Sequence, residues 1–390
     1  MSQMELDVGH QHELDHGINP YEDPEEHQAA VSSLYSYLLY RRAAHRNLTH
    51  RRRNAFYNLP CAHQDLLQKL PISYLKKLDM VDDAIEHNAL LSEAIFRTAG
   101  ESFGIDIPSD KEGKKALEKM VTPEDLDKVR STIKQFYRDW SAEGAVERDV
   151  CYGPVMKELE ERYGALGSGE KAGIRVLVPG AGLGRLAFDI AIAGFSAQGN
   201  EFSYHQLMAS NFILNHSSKA NEFVLHPFIN TFSNHKSVTN QLRPVLIPDV
   251  HPASLLATTD DRFSMSASDF ISGYRGPESA GTFEVCATVF FIDTAPNLCA
   301  YLETIRNLLV PGGVWINFGP LLWHYEDHRP PKREEGDGSF EISLEEVLEL
   351  IPAYGFKIVK RGKGNTAYVG DGMSMLTHSY EAEFWVAEKI

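Results

Sequence analysis

A short apolar run that enters three closely spaced glycines and then a helical pattern, Arg175-Val-Leu-Val-Pro-Gly-Ala-Gly-Leu-Gly-Arg-Leu-Ala-Phe-Asp189, constrains this chain more than any other stretch. Glycine has no Cβ, so the backbone there can bend through positive φ and lie against a ligand. The helix that follows presents N–H groups without intrahelical partners. Strand, glycine turn and helix in that order read as a nucleotide-binding turn, or as an ordinary tight strand-to-helix turn. Gly180, Gly182 and Gly184 stand as Gly-x-Gly-x-Gly, whereas a dinucleotide fingerprint has its third glycine one place later, where this chain has Arg185. The departure favours S-adenosylmethionine over NAD.

The rhythm set by that turn continues to the C-terminus. Strands are expected at 174–178, 195–199, 263–267, 283–292 and 314–318, with helices at 183–193, 204–215, 298–309 and 344–351. Alternating strands and helices mean a parallel sheet covered on both faces. Two last strands, 356–360 and 383–388, have no helix between them and suggest an antiparallel hairpin at one edge. Residues 221–261 are polar, proline-containing and weakly periodic, like an insertion or lid.

Upstream of about residue 165 the pattern is helical throughout. Thr122-Pro-Glu-Asp125 is a helix start, with a capping hydroxyl, proline at the first position and acids in the first turn. That helix should run to about Trp140, with Gln135 and Arg138 on one face. The fold class is therefore α/β: a Rossmann-like sheet with helices on both faces, preceded by an all-helical N-terminal region. The expected division is a tail at 1–28, a helical region at 29–165 and the sheet domain at 166–390.

Charge marks off the tail. Residues 1–28 hold eight acids and no Lys or Arg, half of the formal net charge of -16. Such a segment cannot bury enough apolar surface to offset its ordering entropy, so disorder is expected. His10, His12, His16 and His27 within it read as solvated rather than metal-binding, and no two-His-one-carboxylate or cysteine cluster elsewhere calls for a metal. Arg41, Arg42, Arg46, Arg51, Arg52 and Arg53 put six arginines in thirteen positions and raise a nucleic-acid reading. Solvated helix faces, or pairing with acids of this chain or a partner, explain them more cheaply, since no base-stacking aromatics are interleaved. The start carries no basic-then-apolar pattern, and no run approaches a membrane span. Scattered Cys61, Cys151, Cys286 and Cys299 fit reduced thiols. Together these point to a cytosolic, or cytosolic and nuclear, protein.

In open α/β sheets ligands lie beyond the carboxyl ends of strands. The three glycines end the first strand. Glu201 follows the second, seventeen residues after Gly184, where a carboxylate can accept from both ribose hydroxyls. Asp269 and Phe270 follow the third and can offer a carboxylate to an adenine amino group and a backbone N–H to a ring nitrogen. Asp293 ends the fourth, and His324 lies beyond the fifth.

Arg138-Asp-Trp-Ser, Gly180-Ala-Gly-Leu-Gly-Arg-Leu186, Asn200-Glu-Phe-Ser203, Phe290-Phe-Ile-Asp-Thr-Ala-Pro-Asn297 and Trp315-Ile-Asn-Phe-Gly-Pro-Leu-Leu-Trp-His-Tyr325 occur here in one order. The chain so resembles the carnosine N-methyltransferase family, within the seven-stranded Rossmann-like methyltransferases, over about residues 30–390. The resemblance implies transfer of a methyl group from S-adenosylmethionine to the side-chain-proximal imidazole nitrogen of carnosine, giving anserine. It implies donor binding by Gln135, Arg138, Gly180, Glu201, Asp269 and Phe270, with Arg138 on the donor's carboxylate, and substrate binding by Asp293 and His324. The family pattern ends in two tyrosines two apart; the matching positions here are His378 and Tyr380, so one tyrosine is replaced. A homodimer through the N-terminal helices would follow from the same resemblance.

The chemistry fits those residues. Methyl transfer from a sulfonium needs a neutral lone pair in line with the methyl carbon, so positioning dominates. Imidazole, with an ordinary pKa of about 6.5, is largely neutral at cytosolic pH. A carboxylate such as Asp293, accepting one ring N–H, fixes the tautomer and stabilises the positive charge that develops. Two other readings stay open: a methyltransferase acting on histidine in peptides or proteins, and a module in which the arginine-rich helix binds RNA and S-adenosylmethionine is a structural ligand.

Overall fold

The computed structural model describes residues 23–327 and 338–390. Most of the expected acidic tail, with His10, His12 and His16, lies outside the described residues. The tail ends earlier than its charge suggested: Asp23 accepts from the Glu25 N–H at 2.8 Å and caps a helix, Pro24–Ala44, that begins inside it. Proline in the first turn and acids beside it start that helix despite the acidic composition.

The strands are β1 (Arg175–Pro179), β2 (Ser196–Glu201), β3 (Phe223–Leu225), β4 (Val245–Ile247), β5 (Phe263–Ala267), β6 (Phe283–Val289), β7 (Leu309–Gly319), β8 (Phe356–Thr366) and β9 (Tyr380–Lys389). Seven of them form one sheet in the order β5-β2-β1-β6-β7-β9-β8. It is parallel except for β9, which runs antiparallel to both β7 and β8. The edge hairpin expected from the last two strands is present, with β9 inserted between β7 and β8. Strand order reverses between β1 and β6, which puts a crevice beyond Pro179 and Val289.

Side chains alternate across the sheet with period two. Val176, Val178, Val285, Ala287 and Ile316 face the helices Gly153–Tyr163 and Arg185–Ile192. Leu177, Cys286, Trp315 and Trp385 face the helices Leu298–Leu308 and Leu344–Ala353.

β6 stops three residues before the apolar run does. Phe290 has φ +52°, in the left-handed region a bulky side chain rarely adopts. The chain leaves the sheet there and enters a 3-10 turn, Ile292–Thr294. Apolar composition continues past the strand because Phe291 and Ile292 are buried under the next helix.

The N-terminal helices and the sheet domain share a core. Leu34 and Tyr37 from Pro24–Ala44, Ile85 from Tyr74–Ser102 and Phe136 and Trp140 from Pro123–Trp140 pack with Met208 and Phe212 next to β2. The Thr122–Asp125 capping box closes reciprocally, with the Asp125 N–H donating to Thr122 Oγ1 at 3.1 Å and the Thr122 N–H to Asp125 Oδ2 at 2.9 Å.

Residues 221–261 are not a free lid. They contain the β3–β4 pair and two short helices, and Leu225, Ile229, Val245 and Ile247 are buried in the core shared with the N-terminal helices. Three-residue strands are too short to leave a period in the sequence. Three of the six arginines pair with the chain's own acids: Arg41 with Glu86 and Glu93 at 3.1 and 2.8 Å, Arg42 with Glu118 at 3.1 Å, and Arg53 with Asp79 and Asp82 at 2.6 Å. Arg52 lies 3.7 Å over the Phe232 ring. No described helix is long and apolar enough to cross a membrane.

Candidate active site

Gly180, Gly182 and Gly184 have φ of +65°, +59° and +78°, so the turn after β1 is built from left-handed residues. A Cβ on Gly180 would lie 2.5 Å from the Phe291 ring, and one on Gly182 would lie 2.7 Å from Gln135 Nε2. The turn therefore needs glycine for both conformation and space. Its bare backbone leaves a cradle of the kind that lies against a nucleotide.

The end of β2 is wired to that turn. The Glu201 carboxylate, 5% exposed, accepts from the Gly182 N–H at 2.9 Å on Oε2 and from the Phe202 and Ser203 N–H groups at 2.9 Å on Oε1. Burial pushes this carboxyl up, and the three N–H donors hold it down. A carboxylate offers about four lone-pair sites, so one acceptor position remains, on Oε2. Asn200 donates to Ser268 O and Oγ at 2.9 and 3.0 Å and so holds the end of β5 against β2.

Asp269 then caps the helix Phe270–Tyr274, accepting from the Ser272 N–H at 3.1 Å. The Phe270 side chain points into the core, with its ring centroid 5.2 Å from both Phe291 and Tyr301. Any contact Phe270 makes with a ligand comes from its backbone.

Gln135 and Arg138 are brought to the turn by the helix Pro123–Trp140, whose last residue is tied down: Trp140 Nε1 donates to Leu183 O at 3.1 Å. Both side chains are buried. The Arg138 guanidinium lies 4.8 Å from the Tyr368 ring centre and 5.8 Å from that of Tyr152. Burial would lower its pKa, but Asp139 together with the Tyr152 and Tyr368 hydroxyls outweighs that effect, so its charge is held.

Asp293 sits in the 3-10 turn after β6, 4% exposed. Oδ2 accepts from the Leu322 N–H at 2.9 Å, and the backbone carbonyl accepts from the His324 N–H at 3.0 Å. Burial pushes its carboxyl up to about 6. His324 is an exposed residue whose ring is partly desolvated, which pulls its pKa down. Tyr380, at the start of β9, meets the Phe290 ring at 6.0 Å. His378 is exposed two residues earlier, and among the described residues nothing links it to Asp293 or His324.

The crevice at the strand-order reversal thus gathers the glycine turn, Glu201, Asp269, Gln135 and Arg138 around β1 and β2, and Asp293 with His324 around β6 and β7. Sequence reasoning passed over three residues in or behind it. Asp139 is buried against Arg138; Tyr368 lies between Arg138 and Phe290, its ring tilted 51° to the latter at 5.1 Å; and Asp249, behind the glycine turn, accepts from Arg148 at 2.8 Å and Arg185 at 2.7 Å. Asp139 stands inside the Arg138-Asp-Trp-Ser motif and was legible there as an acid beside an arginine. Among the described residues no group of His, Cys, Asp and Glu could hold a metal.

A family model described as carnosine N-methyltransferase matches residues 115–390. The carnosine N-methyltransferase of Schizosaccharomyces pombe is 41% identical over 368 residues, which cover 93% of this chain and 96% of that protein. That of Mus musculus is 37% identical over 348 residues, 86% of this chain and 79% of its own. A solved 1,6-didemethyltoxoflavin-N1-methyltransferase from Burkholderia thailandensis aligns with 17% identity and a TM-score of 0.36, over 73% of this chain and 93% of that one.

Proposed function

The chain belongs to the carnosine N-methyltransferase family, and from that membership and its site we infer that it transfers a methyl group from S-adenosylmethionine to the imidazole of carnosine, giving anserine. The observation that carries the inference is Asp293: a buried acceptor carboxylate in the turn after β6, the strand next to β1 and its glycine turn.

The residues around β1 and β2 fit the donor. Gly180 and Gly182 bring a side-chain-free backbone turn against Phe291 and Gln135, Glu201 keeps one acceptor site for a ribose hydroxyl, and Arg138 carries a permanent positive charge for a carboxylate. When bound, the donor supplies a methyl carbon made electrophilic by its sulfonium. Asp269, at its helix start, and the backbone of Phe270 stand where an adenine edge would be read.

Asp293 does the orienting work on the substrate. As a carboxylate it accepts the N–H of one ring nitrogen, which leaves the other with its lone pair toward the methyl carbon. The N–C bond forms as the S–C bond breaks, and the ring acquires a positive charge that the Asp293 carboxylate stabilises in a poorly solvated pocket. The proton that the methylated ring then sheds passes to Asp293 or to water. A carboxyl with pKa near 6 is ionised at neutral pH yet basic enough to receive that proton. His324, largely neutral at that pH, orients the ring, and Tyr380 with Phe290 walls it.

The test is mass spectrometry of carnosine, related histidine dipeptides and histidine-containing peptides incubated with the protein and S-adenosylmethionine. One methyl on the carnosine imidazole is expected. Methylation of histidine peptides with carnosine untouched would move the substrate to peptides or proteins, and no transfer to any of them would reject the inference.

A further inference from the structure

None of the roles above uses Asp139, a side chain 1% exposed at the end of the helix Pro123–Trp140. It collects four donors. Arg138 Nε donates to Oδ1 at 2.7 Å and Arg138 Nη2 to Oδ2 at 3.2 Å; Gln135 Nε2 donates to Oδ2 at 3.2 Å and the Tyr152 hydroxyl to Oδ1 at 2.9 Å. That fills the acceptor capacity of a carboxylate. We propose that Asp139 is the positioning residue for the amino-acid end of the methyl donor, setting which edge of Arg138 and which atom of Gln135 face it. This rests on the assignment of Gln135 and Arg138 to the donor.

The amino-acid end carries a carboxylate, which needs N–H donors, and an ammonium, which needs an acceptor. Asp139 sorts the two. An ionised carboxylate only accepts, so the Gln135 amide must turn its nitrogen to Asp139 and present Oε1 elsewhere. That amide lies on the glycine turn, since its nitrogen is 2.7 Å from where a Gly182 Cβ would be. The nitrogen is the amide atom nearest that turn, and Oε1, the one acceptor of the side chain, is left free of Asp139 for the ammonium. For Arg138, Asp139 takes Nε and one N–H of Nη2, and a guanidinium has five N–H groups. The three that remain, on Nη1 and Nη2, form the end-on edge, which can still hold a carboxylate in two parallel bonds. The flanking rings of Tyr152 and Tyr368 hold the guanidinium plane.

A stability role is the weaker explanation. Neighbours in a helix do not face each other, so Arg138 must fold back on Asp139 at the helix end to make the pair. Buried ion pairs are also commonly no more stabilising than apolar packing of the same volume. Orientation accounts for what stability does not.

The test uses the full chain with Asp139→Asn and two ligands, S-adenosylhomocysteine and 5′-methylthioadenosine, titrated by calorimetry. The second has the same nucleoside and thioether and lacks the amino-acid end. The expected result is a Kd for S-adenosylhomocysteine raised tenfold or more, with methylthioadenosine changed less than twofold. Equal weakening of both ligands, or no weakening of either, overturns the proposal. Tyr152→Phe serves as a milder second variant that removes one of the four donors; it should weaken S-adenosylhomocysteine about threefold and leave methylthioadenosine alone, and any other pattern counts against the role. Arg138→Gln in parallel separates the two possible failures. If it too spares S-adenosylhomocysteine, the donor assignment is wrong; if it weakens that ligand alone while Asp139→Asn does not, only the role of Asp139 falls.

Discussion

The His324 N–H donates to the Asp293 carbonyl at 3.0 Å, and the Leu322 N–H, two residues earlier, donates to the Asp293 carboxylate at 2.9 Å. The loop after β7 therefore hangs on the turn after β6, and the two residues assigned to the imidazole are tied to each other through the backbone. Asp293 has a double duty: one carboxylate oxygen holds the loop, and the other is left for the ring.

Asp293→Asn separates those duties. The amide oxygen still accepts from Leu322, while the negative charge that stabilises the methylated ring is gone. Turnover should fall on the order of a hundredfold or more, with affinity for S-adenosylhomocysteine unchanged. Folding stability should move the other way. The carboxyl titrates near 6 when folded against 3.8 ordinarily, so the folded state holds its proton more tightly and stability falls as pH rises through that window. At pH 7.5 the ionised carboxylate costs about 3 kcal/mol, and the variant should melt several degrees higher than the parent. The gain should vanish near pH 3.5, where both are uncharged. A variant that melts lower at pH 7.5 would show that the charge is compensated in the fold.

The acid limb of the pH profile carries two protonations. The free enzyme needs Asp293 ionised, with a pKa of about 6, and the free substrate needs a neutral imidazole, pKa about 6.5. Desolvation pulls His324 below its ordinary value, so its protonation falls at lower pH than that of the free imidazole. A plot of log kcat/KM against pH should steepen toward a slope of two below about pH 5.5, and to one for the residual activity of Asp293→Asn. A slope of one in the parent protein would mean that Asp293 does not titrate in the free enzyme.

The alternation of strands and helices and the antiparallel edge hairpin were legible from apolar runs such as β1 and β6 and the turn chemistry between elements, and Gly180, Gly182 and Gly184 marked a turn built at positive φ; the strand order itself was not read from the sequence. Glu201 and Asp293 were legible as acids at strand ends. What escaped was tertiary. Asp249 lies in a polar stretch without periodicity, and only the folded chain brings it between Arg148 and Arg185. Tyr368 follows β8 in a segment with no pattern of its own, and its stacking on Arg138 joins residues more than two hundred apart. The early end of β6 at Phe290 was hidden because burial under the next helix demands the same apolar residues as a strand does.

Glu201→Ala should act on the donor and on the turn together. It removes the acceptor for three N–H groups and the proposed ribose contact. S-adenosylhomocysteine affinity should drop at least tenfold by calorimetry, and stability by about 2 kcal/mol, since water reaches only part of the exposed N–H set. A lowered melting point with full affinity would leave Glu201 as a cap of the turn and remove it from the ribose.

His378→Tyr puts the tyrosine expected from the family resemblance on an exposed residue two positions before β9. Because nothing packs it into the core, stability should change by less than about 0.5 kcal/mol. The KM for carnosine should shift severalfold while donor affinity stays put. A KM unchanged from the parent for both carnosine and its chain-lengthened relatives would place position 378 outside the dipeptide pocket.

Asp249→Ala tests whether the segment before β5 is part of the donor site. Asp249 accepts from Arg148 Nη2 at 2.8 Å and from Arg185 Nη1 at 2.7 Å, and its own N–H donates to Trp140 O at 2.8 Å. Arg185 is the first residue of the helix after the glycine turn and also donates to the Asp139 carbonyl at 2.9 Å. One carboxylate thus links the β3–β4 segment, the end of the Pro123–Trp140 helix and the glycine turn. Removing it leaves two largely buried guanidinium groups with reduced compensation, a change that typically costs about 3–5 kcal/mol. Asp189 remains on Arg185 at 2.8 Å and the backbone carbonyls of Arg138 and Ser141 remain on Arg148, so the lower part of that range is expected. The melting point should fall by several degrees, and S-adenosylhomocysteine should bind more weakly even though Asp249 is not assigned a contact with it. Full affinity in a destabilised but folded variant would show that the clamp supports the fold without setting the geometry of the turn.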